Sequence, residues 1–200
     1  IPYGAYIKTE STHPEILFEY GLKKEEYFLM ASRLEPENNA DITLAAYNKI
    51  KTQKKLVIVG DANWDSPFVK KLKSTQNPNV KFLGGIYKPY HLEELAINSY
   101  AYIHGNEVGG TNPGLLMALG YGCCVFALDV PFNREVAMDS ALFYKKDPSD
   151  LAYKMELILN DENLRQSLKK NAVLRIKGTY TWDRVIDAYE KVLLSLVKDH

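Results

Sequence analysis

Apolar residues in this chain gather in short unbroken runs, and segments of helical period separate them. Tyr27 to Ser32 (YFLMAS), Leu56 to Val59, Val80 to Leu83, Ala101 to His104 and Cys124 to Leu128 are each apolar nearly throughout. Runs of this kind suit strands buried on both faces, as in parallel sheets. Ala141 to Tyr144 reads as a last short strand. Between the runs, Ile42, Ala45, Ala46 and Ile50 share one helical face, and Pro67 to Lys73, His91 to Asn98 and the segment after Pro113 read as helices. Strand–helix alternation with short loops predicts an α/β fold, a Rossmann-like doubly wound parallel sheet. After Asp147 the strands stop, and Ser149 to Leu159, Asp161 to Ile176 and Trp182 to Leu196 read as C-terminal helices. No repeat, low-complexity tract or linker interrupts the pattern, so residues 1–200 read as one domain.

Composition sharpens this little. The 200 residues are 46% hydrophobic and 25% charged, with formal net charge +0. Such a balance gives no bulk electrostatic reason to bind nucleic acid or an anionic membrane. Cys123 and Cys124 are neighbours in an apolar run without metal-ligand spacing around them, which reads as a buried strand in a reducing cytoplasm. The chain opens at Ile1 without a Met and reads as an excised piece of a longer protein.

In open parallel sheets ligands bind beyond the carboxyl ends of the strands. Four segments should fall there: Arg33 to Asn39, Gly60 to Trp64, Gly84 to Tyr87 and Gly105 to Gly114. The last is the most telling, reading HGNEVGGTNPGLLMALGYG from His104 to Gly122. Gly109 and Gly110 make a turn open to a close ligand, Thr111 or Asn112 can cap a helix, and Pro113 suits its first position. A helix starting there presents free N–H groups and about half a positive charge, which suits a phosphate. The same pattern also describes an ordinary capped helix after a glycine turn. Gly-x-Gly-x-x-Gly, Walker A and Asp-x-Asp patterns are all missing from the sequence. A diphosphate would therefore rely on backbone N–H groups and basic side chains. Arg33, just past the first strand, is the natural fork for phosphate oxygens, although a surface ion pair with Glu35 or Glu37 is the competing reading.

IPYGA, SRLEPENN, IVGDA, FLGGIY, HGNEVGGTNPGLLMALGYG, DVPFNREV and YTWDRVIDAYEKV, in this order, resemble the family 4 glycosyltransferases of the GT-B superfamily. A bacterial branch of rhamnosyl- and related sugar transferases is the most similar. The resemblance runs nearly end to end and implies the C-terminal, donor-binding half of a two-lobed retaining enzyme of polysaccharide, glycan or glycolipid synthesis. It implies a nucleotide diphosphate sugar as substrate, no cofactor and no metal. The acceptor-binding N-terminal domain of the same parent chain, with the catalytic base, is the implied partner, and any peripheral membrane association is expected through that missing half.

The resemblance also implies site residues. Arg33 matches the family's diphosphate arginine, and the Gly109, Gly110, Thr111, Asn112 and Gly114 loop matches its phosphate and sugar loop. Asn38 stands where the family has a lysine, and is left with a neutral hydrogen bond to offer. Gly109 and Met117 stand at the two positions of the family's Glu-x7-Glu motif. Met117 cannot accept the ribose hydroxyls that the second Glu takes, a contact worth roughly 1.5–3 kcal/mol. Glu107 is a partial substitute, and Tyr87 is expected near the nucleobase or as a plain surface tyrosine. Asn38 and Met117 together keep open a second reading, a non-catalytic nucleotide-sugar-binding or scaffold domain. A flavodoxin-like regulatory domain would leave GGTNP unexplained.

Overall fold

The computed structural model describes residues 1–61 and 66–198, with no side-chain description at 197 and 198. The expected sheet-edge segment Gly60 to Trp64 therefore lies partly outside the described residues. Six strands form one sheet: β1 (Tyr27–Ala31), β2 (Lys55–Val59), β3 (Val80–Gly84), β4 (Ala101–His104), β5 (Val125–Leu128) and β6 (Ala141–Tyr144). Every pairing is parallel, in the order β3-β2-β1-β4-β5-β6. The helices are α1 (Ile16–Glu19), α2 (Ala40–Tyr47), α3 (Pro67–Lys73), α4 (His91–Ile97), α5 (Pro113–Gly120), α6 (Pro131–Ala137), α7 (Pro148–Asn160), α8 (Glu162–Arg175) and α9 (Trp182–Lys198).

Alternate strand residues build two cores. Phe28, Met30, Leu56, Ile58 and Phe126 pack beneath α2, α3 and α7, while Leu29, Val57, Tyr102 and Val125 pack beneath α4 and α5. Each fully buried side chain of this size is worth about 1.5–3 kcal/mol. Continuous apolar strands are thus explained by helices on both faces. Asn112, Asp147 and Asp161 cap α5, α7 and α8 by accepting from Gly114, Ser149 and Leu164 N–H groups. The predicted strands and the helices at 67–73, 113 onward and in the C-terminal part all form.

Two details differ from the sequence reading. Helix α2 buries Ala40, Thr43, Ala46 and Tyr47, whereas Ile42 and Ala45 are only half-buried. Asn39, in the left-handed conformation with φ 57°, starts the helix abruptly, and packing on α7 turns its inner face by about one residue. The helix ends at Tyr47, so Ile50 is reached through a turn. The short helices α1 and α6 carry too few residues to show a period.

The first residues run back across the domain. Ala5 bridges Thr181, and the buried Glu94 of α4 accepts from the backbone N–H groups of Thr12 and His13, each at 2.8 Å. Helix α9 leaves the body: Val185 is buried, but Ile186, Tyr189, Leu193 and Leu196 are exposed at helical spacing along one side.

Candidate functional site at the switch point

From β1 the strand order steps outward to β2 and β3, and from β4 it steps the other way to β5 and β6. The crevice between the carboxyl ends of β1 and β4 is therefore the topological switch point, where open α/β sheets bind ligands. Arg33 follows β1, and the loop 105–112 follows β4 into α5. The two sides are fastened together. Tyr102 of β4 donates its hydroxyl to the Ala31 carbonyl at 3.1 Å, and Gly114 of α5 lies over that hydroxyl.

At the start of α5, Asn112 Oδ1 takes only the Gly114 N–H, leaving other first-turn donors without intrahelical partners. Gly109 has φ 134°, a conformation few side chains tolerate, and a Cβ on Gly109 or Gly110 would meet nothing within 4 Å. The loop is thus open on its outer side. Arg33 is half-buried, and among the described residues its guanidinium forms no ion pair, so neither Glu35 nor Glu37 holds it. It lines a depression of about 220 Å³ with Ser32, Gly60, Gly85 and Tyr87. Tyr87 is 93% exposed there and covers Gly85.

The other expected residues fall differently. Asn38 is 4% exposed and turned inward, donating to the Arg33 carbonyl and accepting from Asn106, both at 2.8 Å. A short polar side chain in a dry loop finds its partners in the adjacent backbone, so Asn38 positions Arg33 instead of offering an outward hydrogen bond. Glu107 is not free either. Its carboxylate accepts from Lys146 at 2.5 Å and from Asn39 at 3.1 Å, and Lys146 holds it below the usual carboxylate range. Met117 is half-buried in a separate depression of about 210 Å³ with Tyr6, Pro113, Tyr121 and Trp182. The structure does not bring it into the Arg33 depression. Gly110 and Thr111 line a third hollow of about 370 Å³.

Buried side-chain atoms without hydrogen-bond partners mark the same edge. Among the described residues they are Ser32 Oγ, Asn39 Oδ1, Thr43 Oγ1, His104 Nε2, Asn133 Oδ1 and the Tyr144 hydroxyl. Ser32 follows β1, His104 and Tyr144 end β4 and β6, and the other three stand at the starts of α2 and α6. Unpaired buried polar groups are rare and call for water or a ligand. At the opposite edge the buried Arg165 is fully engaged, with Glu162, Glu25 and the Tyr100 carbonyl. Burial pushes His104 down to about 4, so it is neutral near pH 7. His104, Asn39, Asn133 and Lys146 escaped the sequence reading. The Asn pair after a Pro-Glu turn was the one available signal, since the others are assembled by tertiary packing.

The sheet order, with Arg33 and a capped helix start flanking its switch point, defines a doubly wound α/β domain of the Rossmann class. The chain belongs to the glycosyl transferases group 1 family, whose model matches residues 13–175. Over 175 residues it is 29% identical to the alpha-1,4-N-acetyl-D-galactosaminyltransferase of Campylobacter jejuni, covering 82% of this chain and 46% of that protein. The HepE protein of Anabaena, solved in complex with UDP, superposes with a TM-score of 0.85 at 18% identity over 93% of this chain and 54% of its own. A solved C-terminal domain of a glycosyl transferase group 1 protein from Francisella tularensis superposes with a TM-score of 0.74 at 16% identity, covering 88% of this chain and 96% of that one. The chain thus has the fold of one GT-B half and spans about half the length of the transferase and of HepE. No helix among the described residues is long and apolar enough to cross a membrane.

Proposed function

We propose that this domain binds the nucleotide diphosphate sugar donor of a retaining glycosyltransferase that builds a bacterial polysaccharide, glycan or glycolipid. The observation that carries the reading is that Arg33, which makes no ion pair among the described residues, and the free first turn of α5 follow neighbouring strands at the switch point. Two phosphates would sit between the guanidinium and those N–H groups. The nucleoside would lie in the Arg33 depression beside Tyr87. HepE, which shares this fold over about half its chain and was solved with UDP, supports a nucleoside diphosphate as ligand.

The rest of a parent polypeptide would supply the acceptor site and the catalytic base. The exposed stripe of α9 supports such a partner, because a helix of that pattern normally packs on something. The two buried thiols, pushed up to about 12 by burial, suit a reducing cytoplasm. Calorimetry with UDP, GDP and dTDP tests the reading. Micromolar to millimolar binding of one of them, without sugar transfer by this chain alone, is expected. Transfer needs both reactants held together, and one lobe holds one reactant. Failure of all three diphosphates to bind would refute it.

A second reading keeps the binding and drops the catalysis. Its observation is Asn38, which is locked inward without the charge of a lysine. A parent protein that binds donor and transfers nothing to any acceptor would favour it.

A further inference from the structure

Two carboxylates at the carboxyl edge of the sheet carry their own counter-charges. Asp129, just after β5, is held by Arg134, whose Nη2 donates to Oδ2 at 2.7 Å. Glu107, the only carboxylate in the loop 105–112, is held by Lys146 at 2.5 Å. We propose that Lys146 is an affinity-determining residue for the anionic ligand at α5, and that it acts through Glu107 by cancelling its charge. The inference rests on the donor reading and adds to it a positioning residue that does not itself touch the ligand.

Geometry supplies the first argument. Glu107 follows β4 and Lys146 follows β6, and β5 lies between those strands. Neighbouring strands stand about 4.8 Å apart, so the pair reaches about 10 Å across the end of β5. Only two long side chains meet over that span. Glu107 has other anchors: its N–H donates to the Glu37 carbonyl at 3.0 Å, and its carboxylate also accepts from Asn39 at 3.1 Å. Lys146 therefore contributes charge more than placement. The two side chains are 35% and 53% exposed, and a pair so exposed adds little to folding.

Electrostatics supplies the second argument. Glu107 lies three residues before Gly110, so their Cα atoms stand within about 11 Å of each other. A carboxylate this exposed is ionised near pH 7 with or without the lysine, so removing Lys146 leaves a bare negative charge beside the glycine loop. A diphosphate at the start of α5 would be repelled by it. The repulsion is felt at about 0.01 M salt, where the Debye length is about 30 Å, and is screened at about 1 M, where that length is about 3 Å.

The test is a charge cycle on the intact chain, with dissociation constants for UDP, GDP and dTDP measured by calorimetry at those two salt concentrations. Lys146→Ala should weaken the best-bound diphosphate about fivefold at low salt and less than about twofold at high salt. Lys146→Arg keeps the charge and should bind as the wild type does. Glu107→Gln keeps an acceptor for Asn39 and should bind no more weakly than wild type. Combining Glu107→Gln with Lys146→Ala should restore the affinity that Lys146→Ala loses. Lys145→Ala removes the same charge one residue away without breaking the pair, and should change affinity less than about twofold. A double variant as weak as Lys146→Ala would mean that the lysine meets the ligand directly. Wild-type affinity in Lys146→Ala would mean that Glu107 is remote from the ligand. Either result overturns the inference, while a loss of affinity in Arg33→Ala would still uphold the donor reading. If the wild type binds no diphosphate at all, the donor reading itself fails and this assignment fails with it.

Discussion

Asn106 donates a 2.8 Å hydrogen bond to the side-chain oxygen of Asn38, and so ties the loop after β1 to the loop after β4. Asn38 passes the link on by donating to the Arg33 carbonyl. Asn38→Ala removes both bonds and takes these partners from the Arg33 carbonyl and the Asn106 amide. The expected cost is about 1–3 kcal/mol in urea unfolding. Asn106→Ala removes one bond at a less buried site and should cost less. Equal stability of Asn38→Ala and wild type would show that the loops are held by other means.

Arg33 makes no ion pair among the described residues, so its removal should touch binding and not folding. Arg33→Ala should melt with the wild type and bind the preferred diphosphate about ten- to a hundredfold more weakly, the worth of a charged hydrogen-bonded contact. Unchanged affinity by calorimetry would move the phosphate away from β1.

His104 sets an acid limit. Burial lowers its folded-state value from 6.5 to about 4. The unfolded chain therefore takes up a proton at higher pH than the folded one. The stability at stake is fully present above pH 6.5 and is lost as pH falls from there to about 4. The full loss is about 3 kcal/mol. His104→Gln should flatten the denaturation-against-pH curve in that window. A wild-type curve already flat there would mean that His104 titrates normally.

The two glycines at either end of the loop should behave oppositely. A Cβ on Gly105 would stand 2.3 Å from the Asn38 carbonyl oxygen, so Gly105→Ala must displace backbone. A loss of about 1–3 kcal/mol is expected by thermal melting. A Cβ on Gly110 meets nothing, so Gly110→Ala should fold normally and weaken diphosphate binding by crowding the approach to α5. Tight diphosphate binding by Gly110→Ala would place the ligand off this loop.

Cys123 and Cys124 are buried, and burial pushes both thiols up to about 12. Neither should react with a thiol reagent at pH 8 on the folded chain, and both should react in denaturant. Rapid labelling of the native protein would contradict the burial.

The sheet was legible because its strands are apolar on both faces, a pattern that YFLMAS and the run at Leu56 carry locally. The Pro113 helix was legible from its cap and its proline. The inward turn of Asn38 was not, because it depends on Asn106, which the fold brings up from a distant loop. Nor was the fate of Glu107, since its partner Lys146 follows the last strand. The sequence reading set Arg33 at the diphosphate and Met117 at the ribose by resemblance, but it could not show that Met117 lines a depression with Tyr121 and Trp182. Residue types announced themselves, whereas orientations waited on tertiary contacts.

The neighbouring strands β1 and β4 are also far apart in the chain: Met30 lies beside Ile103, with β2 and β3 formed between them in sequence. That central pairing closes the longest loop among the sheet's ladders, and such pairings carry the largest entropic cost during folding. A chain arrested after β3 would hold three paired strands and Arg33 but no crevice. Ligand competence therefore depends on the least local pairing of the sheet. A nucleotide that binds there binds only the completed fold, and saturating it should raise the global unfolding free energy by about 2.7 kcal/mol at a hundredfold excess over its dissociation constant.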